Sequence, residues 1–403
     1  MTGFYTDFLL IGGGVAATSA AAELRHQGFA GTITLASREL EAPYHRPPIT
    51  KQLLGLKAET HEIEVYPASW WAEQNIELLT RASVMDLNLS AHTATLADKR
   101  LLRYGQALLA TGATVRRLGI EGSDLDGIHY LRTPANARKV RSAANEAQHI
   151  ILVGGSFIAV EAAASLSASG HRCTLVMQEE RPLERTFGSV VAGYVESLLG
   201  QHGVELIGGA DVVAFTGDQL VSGVKTADGR VIKGDLIIVG AGAIPDAKLG
   251  AKAGLEIGPT GGIRCDRQLR TSAEDIYAAG DVCEYDSVVH GRSIRVEHED
   301  HAAAQGRTAA QNMLGKGVDH TEVPFFWTDL ADWSTLQYVG AAQNWDEEQV
   351  TGSVATGNFT VWYLNGGRLV AALTVGRSED LDVARKLISS GDTASRILPW
   401  SSV

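Results

Sequence analysis

A glycine-rich turn near the start of the chain constrains the fold more than any other feature of the sequence. An apolar run at 7–11 leads into Gly12, Gly14 and Ala17 in the pattern G-x-G-x-x-G/A, and an alanine-rich stretch leads to a second apolar run at 32–36. This order predicts strand, tight turn, helix and strand. In such a unit the first glycine permits the turn, the second lets a pyrophosphate approach the backbone, and the small third residue allows close helix packing. Because the helix N-terminus offers free N–H groups, the stretch predicts a dinucleotide-binding unit.

The same pattern recurs in the middle of the chain. The apolar run Ile150–Val153 leads into Gly154, Ser156 and Ala159, and an apolar stretch at 173–176 follows a predicted helix. Serine replaces the second glycine, and its small side chain still permits the approach of a phosphate. Two dinucleotide units in one chain favour one retained and one exchanging dinucleotide, a flavin and a nicotinamide. The predicted fold class is α/β, with two Rossmann-like domains of the glutathione-reductase type and a small C-terminal α+β domain.

An acidic residue that binds the ribose is expected about 20 residues after each glycine motif. In the first unit Arg38 and Glu39 follow the second strand, and Glu39 is the candidate. In the second unit Met177 stands where an acid would be most natural, and Glu179 lies two residues further. A carboxylate repels a 2′-phosphate, so Glu179 favours NADH over NADPH, whereas Arg181 argues the reverse.

Composition and charge exclude several classes of partner. The 403-residue chain has a formal charge of −12 and no long basic run, which argues against nucleic acid and against an anionic membrane surface. No apolar run approaches the ~20 residues that span a bilayer. Its three cysteines, Cys173, Cys265 and Cys283, are far apart, which fits a reducing cytoplasm rather than a disulfide framework.

Three further stretches carry candidate chemistry. Gly280 and Asp281 end a short predicted strand, where the carboxylate can accept a hydrogen bond from a ribityl hydroxyl. The stretch 296–313 predicts a helix beginning at Val296, and the histidine spacing within it suggests a metal site only weakly, so no metal is predicted. Trp327 is either a core residue or a cover for the flavin ring.

Taken together, these motifs resemble the FAD- and NAD(P)H-dependent ferredoxin reductases of oxygenase systems, the putidaredoxin, rubredoxin and biphenyl-dioxygenase reductases, with an apoptosis-inducing-factor-like stretch at 296–302. The stretches that carry the resemblance are Ile11–Ala17, Pro43–Lys51, Ala110–Ala113, Val153–Glu161, Ala279–Asp281, Val296–Gln305 and Phe325–Asp329.

The resemblance implies roles for individual residues. Lys51 would pair with Glu161 near the flavin N5, and these two are the predicted catalytic residues. The residues implied for FAD are Gly12, Gly14, Ala17, Arg38, Glu39, Arg46, Lys51, Val84, Ala110, Thr111, Gly112, Arg132, Gly280, Asp281, Glu297, His298, Glu299 and Trp327. The residues implied for NADH are Gly154, Ser156 and Glu179. The predicted cofactor-binding set also includes Phe157, Ile158, Glu161 and Gly242.

The implied activity is electron transfer from NADH through FAD to a [2Fe–2S] ferredoxin that serves a Rieske oxygenase or a cytochrome P450. The alternatives are a redox-responsive binding protein like apoptosis-inducing factor, or an NADH oxidase or a reductase of quinones or monodehydroascorbate. The chain has no cysteine before Cys173, which excludes the dithiol chemistry of glutathione-reductase relatives. A cytoplasmic monomer or homodimer is expected.

The sequence departs from the family pattern at two positions. The family usually has an acid where Arg38 stands, and often one where Met177 stands. The predicted domains are a discontinuous FAD-binding domain at 1–115 and 243–320, an NAD(P)H-binding domain at 116–242, and a C-terminal domain at 321–403.

Overall fold

The computed structural model describes residues 4–55 and 58–391. The chain divides into two compact units. Unit 1 comprises residues 1–45, 63–114 and 244–326, and unit 2 comprises residues 46–62, 115–243 and 327–403. The three-domain division remains a prediction, and its outermost residues, 1–3 and 392–403, lie outside the described residues.

The described part of the chain contains α-helices, short 3₁₀ turns and strands. The helices are α1 (Val15–His26), α2 (Ala68–Glu73), α3 (Pro134–Ala144), α4 (Phe157–Ala168), α5 (Glu184–Gln201), α6 (Lys248–Ala253), α7 (Glu299–Met313) and α8 (Glu379–Ser390). Short 3₁₀ turns lie at Pro47–Ile49, Thr60–Ile63 and Val354–Thr356. The strands are β1 (Phe4–Ile11), β2 (Ile33–Ala36), β3 (Ile76–Leu79), β4 (Val84–Asn88), β5 (Thr93–Leu96), β6 (Leu101–Leu109), β7 (Ala113–Val115), β8 (Ile128–Tyr130), β9 (Ile150–Val153), β10 (Cys173–Val176), β11 (Glu205–Ile207), β12 (Val212–Gly217), β13 (Val221–Thr226), β14 (Val231–Lys233), β15 (Leu236–Val239), β16 (Ala243–Pro245), β17 (Ile263–Cys265), β18 (Ile276–Ala278), β19 (Cys283–Ser287), β20 (Arg292–Ile294), β21 (Phe325–Leu330), β22 (Ser334–Gly340), β23 (Glu347–Ser353), β24 (Asn358–Asn365) and β25 (Arg368–Val375).

Unit 1 is built on a parallel sheet in the order β3-β2-β1-β6, with β18 also parallel to β6. The first half of β6 pairs antiparallel with β5, which continues to β4. The last four residues of β1 and all of β2 are buried, as expected for the centre of a parallel sheet covered on both faces. The predicted strand–turn–helix–strand unit is confirmed as β1, α1 and β2.

Unit 2 contains a second parallel sheet in the order β11-β10-β9-β15-β8. The fully buried strands β9 and β10, joined through α4, confirm the second predicted unit. The Asp228-Gly229 turn joins the antiparallel strands β13 and β14. The unit also holds a five-stranded sheet in the order β21-β22-β25-β24-β23, most of whose pairs are antiparallel, and α8 packs beside β25.

Helix α7 packs against α1 within unit 1, and a glycine sets their separation. A Cβ at Gly306 of α7 would lie 2.1 Å from the carbonyl oxygen of Ala16 in α1. The helix begins at Glu299, so the predicted start at Val296 is wrong. His298 is the N-cap residue with extended backbone angles of φ −130° and ψ 140°, which leaves Glu297 outside the helix.

Unit 1 also buries a pair of histidine rings. His301 on α7 has no exposed surface and His320 has 2%, and their ring centroids lie 5.1 Å apart. Neither ring nitrogen of His301 has a hydrogen-bond partner among the described residues. Burial, with the neighbouring histidines, lowers the pKa of His301 well below its usual value, and burial lowers the pKa of His320 to about 4. Both rings are therefore neutral in the folded chain at neutral pH.

Within residues 4–55 and 58–391, no helix is both long and apolar enough to cross a bilayer. Over the same residues, no group of three or more histidine, cysteine or acidic side chains is placed to hold a metal ion.

We predict that Gly306→Ala destabilises the protein by about 1–3 kcal/mol, because the added methyl group collides with the α1 backbone. The matched control is Gly200→Ala on α5, where a Cβ meets no atom within 4 Å. Alanine has the higher helix propensity, so this control should keep or raise the stability. Thermal unfolding of both variants measures the difference, and an unchanged Tm for Gly306→Ala would refute the close α1–α7 contact.

We predict that stability falls as the pH drops from about 6.5 towards 4. An unfolded histidine has a pKa of about 6.5, and in the folded chain the pKa of His320 is about 4 and that of His301 is also depressed, so within this window the unfolded state binds more protons. His301→Phe should reduce this loss, whereas the matched change at the exposed His26 should not. Urea unfolding of the three proteins at pH 7 and pH 5 makes the comparison, and parallel losses in all of them would contradict the assignment.

Candidate functional site

The first glycine turn lies between β1 and α1 in unit 1. Gly12 has φ +134°, and a Cβ there would lie 2.1 Å from the carbonyl oxygen of Ala110 at the end of the neighbouring strand β6. Gly14 is the N-cap residue of α1, and no atom lies within 4 Å of the position that its Cβ would take. Ala17 is fully buried. The turn is therefore closed towards the sheet and open above the helix N-terminus, which fits a pyrophosphate group.

The carboxyl ends of β6 and β18 meet beside this turn. Gly112 has φ +67°, and the Thr111 hydroxyl donates to the Asp246 carbonyl oxygen at 2.7 Å. The Gly280 N–H donates to the side chain of Gln305 on α7 at 2.7 Å, and a Cβ at Gly280 would lie 3.2 Å from Ala16 of α1. Asp281 thus follows a backbone turn that lies against the start of α1.

Arg295 contacts two of the predicted flavin-binding residues but was not itself predicted as a site residue. Its guanidinium donates to the Asp281 carbonyl oxygen at 3.0 Å and pairs with the Glu297 carboxylate at 2.5 Å. The Arg295 side chain is 14% exposed. No local motif marks this arginine. Glu297 is only two residues away, but Asp281 is 14 residues away and is brought to Arg295 by the fold of unit 1.

The two residues expected near the FAD ribose have partners within unit 1. Arg38 forms an ion pair with Asp246 at 2.5 Å, although its side chain is 54% exposed. The Glu39 carboxylate accepts a hydrogen bond from the Tyr44 hydroxyl at 2.5 Å. The buried Ser37, which the sequence analysis did not name, lies closest to the turn, since a Cβ at Gly13 would lie 2.3 Å from its hydroxyl oxygen. Val84 begins β4 and is half-buried.

The start of α7 carries a histidine–carboxylate pair. His45 Nδ1 lies 2.7 Å from the Glu299 carboxylate, and this hydrogen bond raises the pKa of His45. The His298 ring stacks on Phe326 with centroids 3.8 Å apart. Burial lowers the pKa of His298 to about 4, so this N-cap residue is neutral at neutral pH.

The second glycine turn, in unit 2, repeats the geometry of the first. Gly154 has φ +124°, and a Cβ there would lie 2.4 Å from the Gly240 carbonyl oxygen at the end of β15. Ser156 is the N-cap residue of α4 and its hydroxyl makes no capping hydrogen bond. Phe157 and Ile158 form the half-buried first positions of α4, and Gly242 has φ +95°. Serine therefore leaves the helix N-terminus accessible to a phosphate.

A buried ion pair in unit 2 joins the 46–62 segment to α4. Lys51 Nζ lies 2.9 Å from a Glu161 carboxylate oxygen, and the two side chains are only 8% and 9% exposed. The Thr50 hydroxyl donates to the second Glu161 oxygen at 2.5 Å, and the Thr328 hydroxyl donates to the first at 2.6 Å. All of these donors surround one carboxylate in the protein interior.

Thr50 and Thr328, which donate to the Glu161 carboxylate, were also not predicted as site residues. Thr50 is adjacent to Lys51 in the proline-rich stretch and Thr328 is adjacent to Trp327, so proximity to the recognised residues was the available signal. Trp327 itself is half-buried. In the same unit, Arg46 donates to the Arg132 carbonyl oxygen at 3.1 Å.

The predicted site residues thus form two groups. The group in unit 1 comprises Gly12, Gly14, Ala17, Arg38, Glu39, Val84, Ala110, Thr111, Gly112, Gly280, Asp281, Glu297, His298 and Glu299. The group in unit 2 comprises Arg46, Lys51, Arg132, Gly154, Ser156, Phe157, Ile158, Glu161, Glu179, Gly242 and Trp327.

Comparison with known proteins gives matches along the whole chain. Residues 6–306 match the pyridine nucleotide-disulphide oxidoreductase family, and residues 325–397 match the reductase C-terminal family. The ferredoxin reductase subunit of the 5,5′-dehydrodivanillate O-demethylase from Sphingobium sp. is 36% identical over 97% of this chain and 95% of that protein.

Solved structures agree in fold and length. The ferredoxin reductase for the CYP199A2 system from Rhodopseudomonas palustris matches with a TM-score of 0.92 and 30% identity, over 96% of each chain. The covalent putidaredoxin reductase–putidaredoxin complex matches with a TM-score of 0.90 and 31% identity, over 96% of this chain and 94% of that one. The chain belongs to the pyridine nucleotide-disulphide oxidoreductase family, and within it to the ferredoxin reductases.

Proposed function

We propose that this protein is an FAD-dependent reductase that passes electrons from NADH to a [2Fe–2S] ferredoxin of a Rieske oxygenase or cytochrome P450 system. The proposal is supported by the family membership, by the two open glycine turns and by the buried Lys51–Glu161 pair. Bound FAD supplies the chemistry that the side chains lack, because it accepts two electrons from a nicotinamide and releases them singly.

The buried Lys51–Glu161 pair is the observation on which the proposal chiefly depends. Burying two charges is costly, and well-packed apolar side chains of similar volume are often as stabilising. A role in stability therefore does not account for this arrangement, in which the Glu161 carboxylate pairs with the Lys51 ammonium group and also accepts hydrogen bonds from two threonine hydroxyls. A preorganised charge of this kind stabilises charge that develops on a neighbouring reactant during electron and proton movement.

Each unit has a proposed ligand. In unit 1, Gly12, Gly14 and Ala17 receive the FAD pyrophosphate, Asp281 receives the ribityl chain, and Arg295 holds Asp281 and Glu297 in place. In unit 2, Gly154 and Ser156 receive the NADH pyrophosphate. The other predicted site residues belong to the same two proposed sites. In the proposed division into three domains, the domain at 1–115 and 243–320 binds FAD and the domain at 116–242 binds NADH.

The protein's surroundings follow from the same proposal. A ferredoxin is its macromolecular partner, and neither nucleic acid nor a membrane is. The three cysteines are buried, and burial raises the pKa of Cys173 to about 12 and the pKa of Cys283 well above its usual value, so the Cys173 and Cys283 thiols are unreactive. The proposal also includes a cytoplasmic monomer or homodimer.

We predict that Lys51→Met slows NADH-dependent flavin reduction by about 100-fold, because one preorganised charge beside the reacting groups is lost. It should also destabilise the fold by about 3–5 kcal/mol, since the Glu161 carboxylate is left buried without its counter-charge. Anaerobic stopped-flow reduction and thermal unfolding measure the two effects.

The Lys51→Met, Glu161→Gln double variant separates these effects. It removes the uncompensated charge, so stability should recover while flavin reduction remains slow. Lys139→Met on the exposed face of α3 is the matched surface control. Full reduction rates in the double variant would rule out the proposed role of the pair.

We predict that an oxygenase-type [2Fe–2S] ferredoxin strongly stimulates NADH-driven cytochrome c reduction by this protein. A parallel series with NADPH should be much slower. The absence of stimulation across several ferredoxins, with FAD bound, would favour the oxidase or redox-responsive binding alternatives instead.

A further inference from the structure

A buried carboxylate in unit 1 lies three residues after Asp281 and is not among the predicted site residues. Glu284 is the second residue of β19 and is only 1% exposed. One of its carboxylate oxygens accepts the Thr260 backbone N–H at 3.0 Å and also accepts the Thr260 hydroxyl, and the Ser293 hydroxyl lies 3.5 Å from the other oxygen. Burying a carboxylate is costly unless hydrogen bonds replace those to water, and here a single threonine supplies two of them.

The loop that carries Thr260 is packed closely against two side chains. The Gly258 N–H donates to the Gly262 carbonyl oxygen at 2.8 Å, which closes the loop. A Cβ at Gly258 would lie 2.4 Å from Cδ of Glu284. A Cβ at Gly262 would lie 2.8 Å from Cδ of Arg295 and 3.1 Å from Cβ of Glu284. Glycine at both positions therefore lets the loop place Thr260 between the buried carboxylate and the guanidinium.

The Thr260 hydroxyl joins Glu284 to the arginine of the proposed FAD site. Arg295 donates from Nε to the Thr260 hydroxyl oxygen at 3.1 Å, and from Nη1 it contacts the Asp281 carbonyl oxygen and the Glu297 carboxylate. A threonine hydroxyl has one proton and two lone pairs. Because Thr260 donates its proton to Glu284, its oxygen is left to accept from Arg295. The guanidinium is thus held at Nε as well as at Nη1.

We propose that Glu284 and Thr260 are positioning residues for the FAD site and act through Arg295. The buried carboxylate orients the Thr260 hydroxyl, the hydroxyl orients the Arg295 guanidinium, and the guanidinium holds the Asp281 turn that receives the ribityl chain. The inference rests on the proposed FAD site in unit 1. The donors of a guanidinium lie in one plane at fixed angles, so two bonded nitrogens fix that plane. A hydroxyl that donates to a carboxylate is also a better acceptor, because hydrogen bonds in a chain polarise one another.

The test measures the release of FAD from the full-length holoprotein, followed as the recovery of flavin fluorescence on dilution, which yields the Kd for FAD. Thr260→Val keeps the size of the side chain but removes the hydroxyl. It should raise this Kd by about tenfold or more, the scale of one charge-assisted hydrogen bond. Thr260→Ser keeps the hydroxyl and should restore the wild-type Kd. Glu284→Gln should raise the Kd by a smaller factor, because a neutral oxygen still accepts the hydroxyl proton, although more weakly.

A double-mutant cycle tests whether Thr260 acts through Arg295. Arg295→Met removes the donors and should itself weaken FAD binding. In this background Thr260→Val should cause little further loss, because the hydroxyl no longer has a guanidinium to orient. A loss of the same size in both backgrounds would overturn the inference, since Thr260 would then act on FAD binding by another route. An unchanged Kd in both Thr260→Val and Glu284→Gln would overturn it as well.

Two controls separate positioning from general damage to the fold. Ser293→Ala removes the other hydroxyl beside Glu284, one that accepts a hydrogen bond from Arg264 at 3.0 Å, and it should leave the Kd for FAD unchanged. Binding of 5′-ADP, measured by calorimetry, probes the proposed nucleotide site in unit 2 and should be equal in all variants. A parallel loss of 5′-ADP binding would contradict the positioning role. If Thr260→Val does not fold, Glu284→Gln carries the same comparison.

Retention of FAD by the wild-type protein distinguishes this inference from the proposed function. If wild type holds FAD and NADH reduces it, but Thr260→Val and Glu284→Gln keep the wild-type Kd, the positioning role fails and the reductase proposal stands. If the full-length wild-type chain does not hold FAD, both proposals fail.

Discussion

A collision that only glycine avoids governs both dinucleotide units. In unit 1 a Cβ at Gly12 would meet the Ala110 carbonyl oxygen at 2.1 Å, and in unit 2 a Cβ at Gly154 would meet the Gly240 carbonyl oxygen at 2.4 Å. In each case the carbonyl lies at the end of the strand beside the first strand of the unit. The turn therefore bends against the neighbouring strand, a geometry that suits the binding of a phosphate at the N-terminus of the following helix. Neither helix has a side-chain cap at this end.

In unit 2, residues from two other stretches of the chain hold the Glu161 carboxylate in place through an ion pair and two hydrogen bonds. Glu161 lies on α4, Lys51 and Thr50 lie in the segment that follows Pro47–Ile49, and Thr328 lies on β21. The Ser165 hydroxyl, one turn further along α4, donates to the Thr50 carbonyl oxygen at 2.8 Å and so holds the backbone of that segment. The ammonium position is thus determined by main-chain contacts as well as by the ion pair. Such support is what a preorganised charge requires.

The local parts of this arrangement could be predicted from the sequence, and the long-range parts could not. Glycine spacing and apolar runs predicted both βαβ units, and β10 has the predicted bounds, because strand and turn preferences depend on neighbouring residues. The start of α7 was missed because Val296 and Glu297 have no local stop signal, and the extended backbone at His298 sets the boundary. Thr328 was missed because its partner depends on tertiary packing, and Arg295 was missed because its contact with Asp281 does. Thr328 is 167 residues from Glu161, and Arg38 is 208 residues from Asp246.

At the end of β10, the three-dimensional position of an acidic side chain differs from the position that the sequence motif predicts. The sequence places methionine where an acid is expected, and this residue by itself weakens the prediction of a preference for NADH. In the fold, the loop 177–183 turns back on the glycine motif, because the Leu183 N–H bonds to the Gly155 carbonyl oxygen and Met177 bonds to β11 through its backbone. This closure brings the Glu179 carboxylate against the turn, where a Cβ at Gly155 would lie 2.7 Å from one of its oxygens. Because Glu179 arrives from the loop rather than from the strand, it lies close enough to α5 to pair with Arg185. The carboxylate that the motif position lacks thus comes from the loop, and it is paired with a cation on α5.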